Sequence, residues 1–518
     1  MSKKSKAWSQ YEAGLEYKRQ IGLYENNRRN ERFYRGDQWH GTGALDLPKP
    51  VFNIIRRVVD FLVSSIASSD ISIRYTDEDM PFVSEEENRS AIKAGITALS
   101  ANAAYRWDKN RMPGKVYTLL TDAAISGDGI FYCYWDPQIK SAQGFDGEIV
   151  TECVDNVNLF VADVNRADIQ SQSYIILSGR ACVASLREEA MRAGVSADAA
   201  MKIKADGVYD RQSGDLSSKE LDGDTEEKTT YIIKFWKEDG RVVFEKSTKE
   251  CVIKRVYTDM RLYPVAYFNW YPTKNSFHGT SPITALIPNQ KFINRAYALV
   301  MKHMSDTAFS KVVYDKSRIP EWSNGVGEAI AAQGGGNMSD AVSVVGVGEM
   351  QSGYMELIEQ ATSVTKELMG ATESALGNVD AKNTSAIIAL QETSKITLEQ
   401  VRSAYYQCIE DLASIWADMM CAYYPSERLI VYSNAGEISA EAVNFDLLRQ
   451  RILCAKVDVA PMARFSSVSA QNTLDKLLDG GYISPTSYVR RLPTGVIRDR
   501  EALILEIENK EKETRCDE

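Results

Sequence analysis

The residue types that do chemistry are sparse in this chain of 518 residues and badly spaced for catalysis. There are three histidines, His40, His278 and His303, none with a partner at metal-ligand spacing, so each reads as structural. Asp77-Glu78-Asp79 has the composition of a two-metal cluster, but adjacent acids on a polar loop read as solvated charge. Gly334-Gly335-Gly336 is not followed by Lys-Ser or Lys-Thr, so no phosphate-cradling loop forms there. No Gly-x-Ser-x-Gly elbow stands at a strand-to-helix turn. The eight cysteines are scattered without a C-x-x-C pair and read as reduced thiols of a cytoplasmically made protein. These patterns predict no catalytic residue, no metal and no cofactor. What remains is charge. Lys291, Arg295 and Lys302, at spacings of four and seven, share one helical face, and such a row contacts phosphates or pairs with acids.

The elements that position this face are mostly helical. Gly279-Thr280-Ser281-Pro282 opens a helix with Ser281 as N-cap and Pro282 at the first position. Pro288 kinks or restarts it, and Ile293, Tyr297, Val300 and Met304 keep helical spacing beyond. An insert over 310–352 holds the flexible triple glycine and a strand-like Val342-Ser343-Val344-Val345, short and isolated. A second helix follows over 354–369, with Leu357, Ala361, Val364 and Leu368 on one face. A small, polar loop over 370–385 turns at Gly377-Asn378. The strongest periodic signal comes next. Ile387, Leu390, Ser394, Leu398, Val401, Tyr405, Cys408, Leu412, Trp416, Met419 and Tyr423 recur every three or four residues until Pro425. At 1.5 Å per residue that helix is roughly 55 Å long, a strut.

Upstream, residues 1–35 read as a basic amphipathic helix in which Trp8, Tyr11, Leu15, Tyr17 and Leu23 interleave with Lys18, Arg19, Arg28 and Arg29. A helix over 52–67 turns Ile55, Val58, Val59, Leu62 and Ile66 inward. Strands are read over 71–75, 130–135, 148–153, 174–180, 230–236, 242–245 and 251–257, and helices over 84–107, 113–126 and 183–193. Residues 206–228 are polar, without apolar periodicity. After Pro425 come a strand over 428–432, a mixed segment over 445–459, and helical pieces over 466–478, from Ser484-Pro485, and over 497–510. The length exceeds what one core organises. No apolar run reaches the roughly 20 residues of a membrane span, and the polar, basic start lacks a secretory signal. A net charge of −10 argues against broad gripping of nucleic acid but suits a conduit that must not stick to phosphates.

The order helix, insert, helix, loop, strut resembles the core of a tailed-bacteriophage portal protein. The residues that carry the resemblance are Phe277-His278-Gly279-Thr280-Ser281-Pro282, Gln290, Asn294, Met369-Gly370-Ala371-Thr372-Glu373, Leu376-Gly377 and Asn383-Thr384-Ser385-Ala386-Ile387. The turn Gly36-Asp37-Gln38-Trp39, Asn53 at a helix entry, and the helix, Gly127-Asp128-Gly129 turn and strand that follow also resemble the family. The resemblance implies an α+β portal fold: α+β wing over 1–276, stem helix 277–309, small α/β clip 310–352, second stem helix 353–369 and tunnel loop 370–385. A long, kinkable wing helix with its strand would cover 386–435, and the wing end with a helical C-terminal crown 436–518.

By the same resemblance the chain would form a homo-oligomeric ring, usually dodecameric, at one capsid vertex of a virion, after assembly in the bacterial host cytoplasm. Double-stranded DNA would pass its channel without sequence specificity, in packaging and in ejection. The terminase large subunit and later a head–tail adaptor would dock on the clip, with major capsid protein and scaffold around the ring. Ring symmetry would turn Lys291, Arg295 and Lys302 into basic bands along the channel. Val342, Val344 and Val345 would pair across subunits. The tunnel loop, with Asn378, Lys382, Asn383 and Thr384, would touch DNA by shape and transient hydrogen bonds. The alternative is a head–tail adaptor or minor virion protein, although adaptors are generally shorter and lack this order of elements.

Overall fold

Glycine and proline set many of the boundaries. The computed structural model describes residues 5–43, 46–68, 70–77, 86–140, 146–206, 227–307, 311–323, 325, 328–345, 353–371, 398–434, 437–449, 451, 453–460, 474–492, 503–504 and 506–507. The first elements are helices α1 (Lys6–Gln20), α2 (Leu23–Arg35) and α3 (Ile54–Ala67). The amphipathic segment at the start is therefore two helices, because Gly22 adopts φ 67° between them. Lys18 departs further from expectation: it is 2% exposed instead of lining a basic face. In α3 the five residues expected inward are all buried.

The order continues with β1 (Asp70–Asp77), α4 (Glu86–Lys109), α5 (Met112–Ser126), β2 (Asp128–Lys140), β3 (Asp146–Cys153), β4 (Leu159–Val161), β5 (Tyr174–Cys182), α6 (Val183–Arg192) and α7 (Ala197–Ala200). Next come β6 (Lys228–Glu238), β7 (Arg241–Ser247), β8 (Val252–Tyr257), β9 (Val265–Asn269), α8 (Pro282–Thr307), β10 (Lys311–Tyr314), β11 (Val342–Val345) and α9 (Gly353–Glu367). The last are α10 (Glu399–Tyr423), β12 (Glu427–Asn434), β13 (Glu437–Asn444), α11 (Phe445–Arg449), β14 (Leu453–Ala460) and α12 (Pro485–Arg491). Helix and sheet are mixed, as an α+β class requires.

The chain divides into two compact units. One comprises Met1–Glu31, Val59–Thr284 and Glu373–Glu518; the other comprises Arg32–Val58 and Ala285–Thr372. In the first unit the strands form antiparallel sheets in the orders β4-β5-β6-β7-β8 and β3-β2-β9, with the pairs β1–β14 and β12–β13. Helix α10 packs on β14, β9 and α11, and α4 packs on β1, β12 and β13. Leu398, Val401, Tyr405, Cys408, Leu412, Trp416 and Met419 are buried, as their spacing predicts. Ile409, Ala413, Ile415, Ala417 and Met420 are buried as well, so the helix is enclosed over much more than one stripe. It ends at Tyr423, just before Pro425. The part of the strut before Leu398 lies outside the described residues.

In the second unit, α8 continues unbroken through Pro288. Val342–Val345 is not isolated: β11 pairs antiparallel with β10 of the same chain, from Lys311↔Val345 to Tyr314↔Val342. The partner strand escaped a sequence reading because it is four residues long and follows the helix closely. The stripe on α9 also behaves differently from an ordinary core face. Ile358 and Thr365 are buried, whereas Tyr354, Leu357, Val364 and Leu368 are exposed.

Candidate functional site

The motif residues of the second unit meet in one buried hydrogen-bond network. Gln290, on α8, is 1% exposed. Its Oε1 accepts from the backbone N–H of Ile54 (3.0 Å), which also donates to the Phe52 carbonyl, and from that of Ile55 (3.3 Å), at the start of α3. Its Nε2 donates to the Phe52 carbonyl (2.8 Å) and to Asn294 Oδ1 (2.9 Å). One turn on, Asn294 Nδ2 donates to Gln38 Oε1 (2.6 Å), and Gln38 Nε2 reaches the Phe33 carbonyl and Asn53 Oδ1. Asn53 Nδ2 closes the circuit on the Tyr34 carbonyl (2.8 Å). The Gly-Asp-Gln-Trp turn, the helix-entry asparagine and the Gln290/Asn294 pair are thus one device that fixes α8.

A neighbouring face of α8 carries the cations. At 3.6 residues per turn, Lys291, Arg295 and Lys302 fall within about 40° of arc, centred roughly 100° round the helix from Gln290 and Asn294. Lys291 and Arg295 are exposed, and Lys302 is half-buried, 3.6 Å from Asp306. Lys291 Nζ lies 5.7 Å from the centre of the Phe33 ring. Phe292 and Leu299 stand beside the cations and are exposed. In the insert, Val342 is half-buried and Val344 exposed, while Val345 pairs through its backbone with Lys311. Tyr314 stacks on Trp322, with ring centres 5.2 Å apart. Asn378, Lys382, Asn383 and Thr384 lie outside the described residues.

In the first unit the motif residues His278 and Gly279 converge on Asp128. Its Oδ2 lies 2.7 Å from His278 Nδ1 and accepts from Asn156 Nδ2 (2.8 Å). Its Oδ1 accepts from the Gly279 N–H (2.8 Å), and the Tyr267 hydroxyl and Asn269 Nδ2 lie 2.9 and 3.1 Å away. Burial alone raises such a carboxyl, but the His278 ring and the hydrogen bonds outweigh it and hold Asp128 below the ordinary carboxylate range. The two flanking backbones touch: a Cβ on Gly127 (φ +96°) would lie 2.6 Å from the Gly279 carbonyl oxygen. Ser281 then accepts from the Ile283 N–H (3.1 Å) and donates to the Ala124 carbonyl (2.5 Å), seating the first turn of α8. Sequence reading took Gly127-Asp128-Gly129 only as a turn. An acid between two glycines, with a histidine and a glycine adjacent far downstream, was the available signal.

Other candidates resolve differently. Asp77 is not a solvated loop acid: its side chain is buried at the end of β1, 3.9 Å from Arg451 Nε. Glu78 and Asp79 lie outside the described residues. Among the described residues no group of three or more His, Cys, Asp or Glu could hold a metal ion, and no helix is long and apolar enough to cross a membrane.

No curated protein matches the chain. Residues 197–435 match a family model described as phage P22-like portal protein. The matched stretch runs from α7 to the end of β12 and includes α8, the insert, α9 and α10. Through that stretch the chain is similar to the portal proteins of tailed phages.

Proposed function

We propose that copies of this chain close into a ring at one capsid vertex and that the ring conducts the genome in packaging and ejection. The observation that carries this reading is the outward face of α9. Tyr354, Leu357, Val364 and Leu368 follow one another at steps of three, seven and four residues, yet are 56, 50, 45 and 66% exposed. A stripe with that spacing is a helix-packing seam, and aligned apolar side chains at this exposure mark an association surface. On α8, Phe292 and Leu299 offer a second apolar strip, 48 and 53% exposed. Two different apolar surfaces on separate helices suit a heterologous contact, which closes into a ring when the rotation permits.

In such a ring the row Lys291, Arg295 and Lys302 forms basic bands facing the bore. The acidic remainder of the chain keeps DNA from adhering. The β10–β11 hairpin leaves a strand edge for a neighbouring copy, making the clip an intersubunit band on which terminase and then an adaptor dock. The loop bearing Asn378, Lys382, Asn383 and Thr384 narrows the channel. The role is structural, and the motor is a separate protein. Negative-stain images of the purified full chain test the reading: rings with a central hole are expected, and monomers in every salt condition overturn it.

A further inference from the structure

We infer that helix α1 is a strap whose seating is read at the foot of α8 through one run of buried hydrogen bonds that starts at Lys18. This goes beyond the portal reading and does not depend on it. The Lys18 ammonium donates to the carbonyls of Asn156 (2.6 Å), Val157 (3.0 Å) and Leu159 (2.5 Å), so each of its three hydrogens has a carbonyl acceptor. Its Nζ also lies 3.8 Å from the centre of the Phe160 ring.

Asn156, 1% exposed, passes the constraint on. Its carbonyl is held by Lys18, its Oδ1 accepts from Asn27 Nδ2 (2.7 Å), and its Nδ2 donates to Asp128 Oδ2 (2.8 Å). Asp128 in turn holds His278 and the Gly279 N–H, two residues before the Ser281 cap of α8. From Lys18 to Asn156, Asp128 and His278 with Gly279 the contacts are hydrogen bonds with at least one buried partner, and two residues of chain then lead to Ser281.

Helix α1 is built to be separable. Gly22 at φ 67° uncouples it from α2. Its apolar seat is small: Ala7, Trp8 and Tyr11 against Phe160, Ile176 and Ile232. Lys18 lies ten residues from Trp8, so the polar anchor and the apolar seat are about 15 Å apart along the helix. When α1 lifts, the carbonyl nest loses its cation, Asn156 loses the bond that fixes its backbone, and Asp128 is left with a looser donor on Oδ2. Lys18 is thus a positioning residue for the foot of α8. The coupling is reciprocal, so whatever disturbs His278 and Gly279 also loosens α1.

Hydrogen exchange of the full-length protein tests this. In Lys18→Ala the Gly279 and Ile283 amides should exchange about tenfold faster, while the amides of β6 and β7 keep wild-type rates. n-Propylammonium, which replaces the severed part of the side chain, should restore protection, and tetramethylammonium at equal concentration, which cannot donate, should not. Wild-type exchange at Gly279 and Ile283 in a variant whose α1 amides have lost protection overturns the inference. So does an equal effect of the two cations, or a rise over the whole unit that n-propylammonium does not reverse. If Lys18→Ala does not fold, Asn27→Ala, which removes one contact of Asn156, must raise exchange selectively at Gly279. Wild-type rates there overturn it too.

Discussion

The carboxylate of Asp128 lies 2.7 Å from Nδ1 of His278, a residue 150 positions further along the chain, and both side chains are buried. This pair joins the turn between α5 and β2 to the segment that launches α8. Because all of its partners are donors, Asp128 cannot be replaced by an amide without leaving donors facing donors.

Asp128→Asn should therefore cost about 1–3 kcal/mol, as expected when buried donors lose a charged acceptor. Chemical denaturation of the two proteins measures it. The pH dependence has a definite sign. The carboxyl is held below its ordinary value, so it contributes stability above the unfolded value of about 3.9 and loses it as pH falls towards the folded value. The difference between wild type and variant should be full at pH 5 and above, and shrink below about pH 4.

Asp122 should behave in the opposite way. Burial, then the charges of Asp155 and Glu31, push its carboxyl up to about 7. The folded protein thus holds a proton that the unfolded chain has released, and stability falls as pH rises from about 4 to 7. Asp122→Asn should stabilise the protein above pH 7, by roughly 2–4 kcal/mol, and change little near pH 4. Melting curves at the two pH values check this; a stabilisation that persists unchanged at pH 4 would contradict it.

Gln290→Leu should cost about 1–3 kcal/mol, because the Ile55 N–H and Asn294 Oδ1 lose their partner in a site where Gln290 itself is fully enclosed, and Ile54 and Phe52 keep only their bond to each other. Exchange of the Ile54 and Ile55 amides should rise with it. Equal denaturation midpoints for variant and wild type would show that the network is dispensable.

Much of the fold was legible because local periodicity and breakers decide it. Val401, Tyr405, Cys408, Leu412, Trp416 and Met419 repeat at helical spacing and are buried, and Ser281-Pro282 caps and opens α8 where that pair predicts. What escaped depends on partners distant in sequence. Nothing local distinguishes Lys18, enclosed by three carbonyls, from Arg19 beside it, which is exposed and 3.6 Å from Glu16. The pairing of β11 with β10 spans the whole insert, so a four-residue valine-rich run appeared to stand alone. The α9 stripe was visible as periodicity, but periodicity does not say which partner covers a face, and within this chain Ile358 and Thr365 take the buried side.

The exposure of that stripe sets a prediction in which fold and assembly separate. Leu357→Asp with Val364→Asp changes two exposed positions, so the stability of a single chain should shift by no more than about 0.5 kcal/mol per site. Association should be lost, because each carboxylate would be buried in an apolar seam. Circular dichroism should be unchanged while sedimentation velocity shows monomers. Rings that persist in the double variant would remove α9 from the interface.

The basic row on α8 gives the last prediction. Arg295 and Lys291 are exposed and make none of the hydrogen bonds that join Gln290 and Asn294 to Gln38 and the start of α3, so reversing them removes no bond of that network. Lys302 is a poorer target, since it already lies 3.6 Å from Asp306 and its removal alters an ion pair as well as a charge. Lys291→Glu with Arg295→Glu changes each subunit by four charge units, and ring symmetry multiplies that change around the bore. If these side chains meet passing phosphates, packaging should fall at least tenfold and recover partly as salt screens the repulsion, with a Debye length of about 10 Å at 0.1 M. Ring assembly, followed by negative stain in the same preparations, should be unchanged. A defect in assembly would place the row in a subunit interface instead, and normal packaging by intact rings would show that the row does not face the DNA.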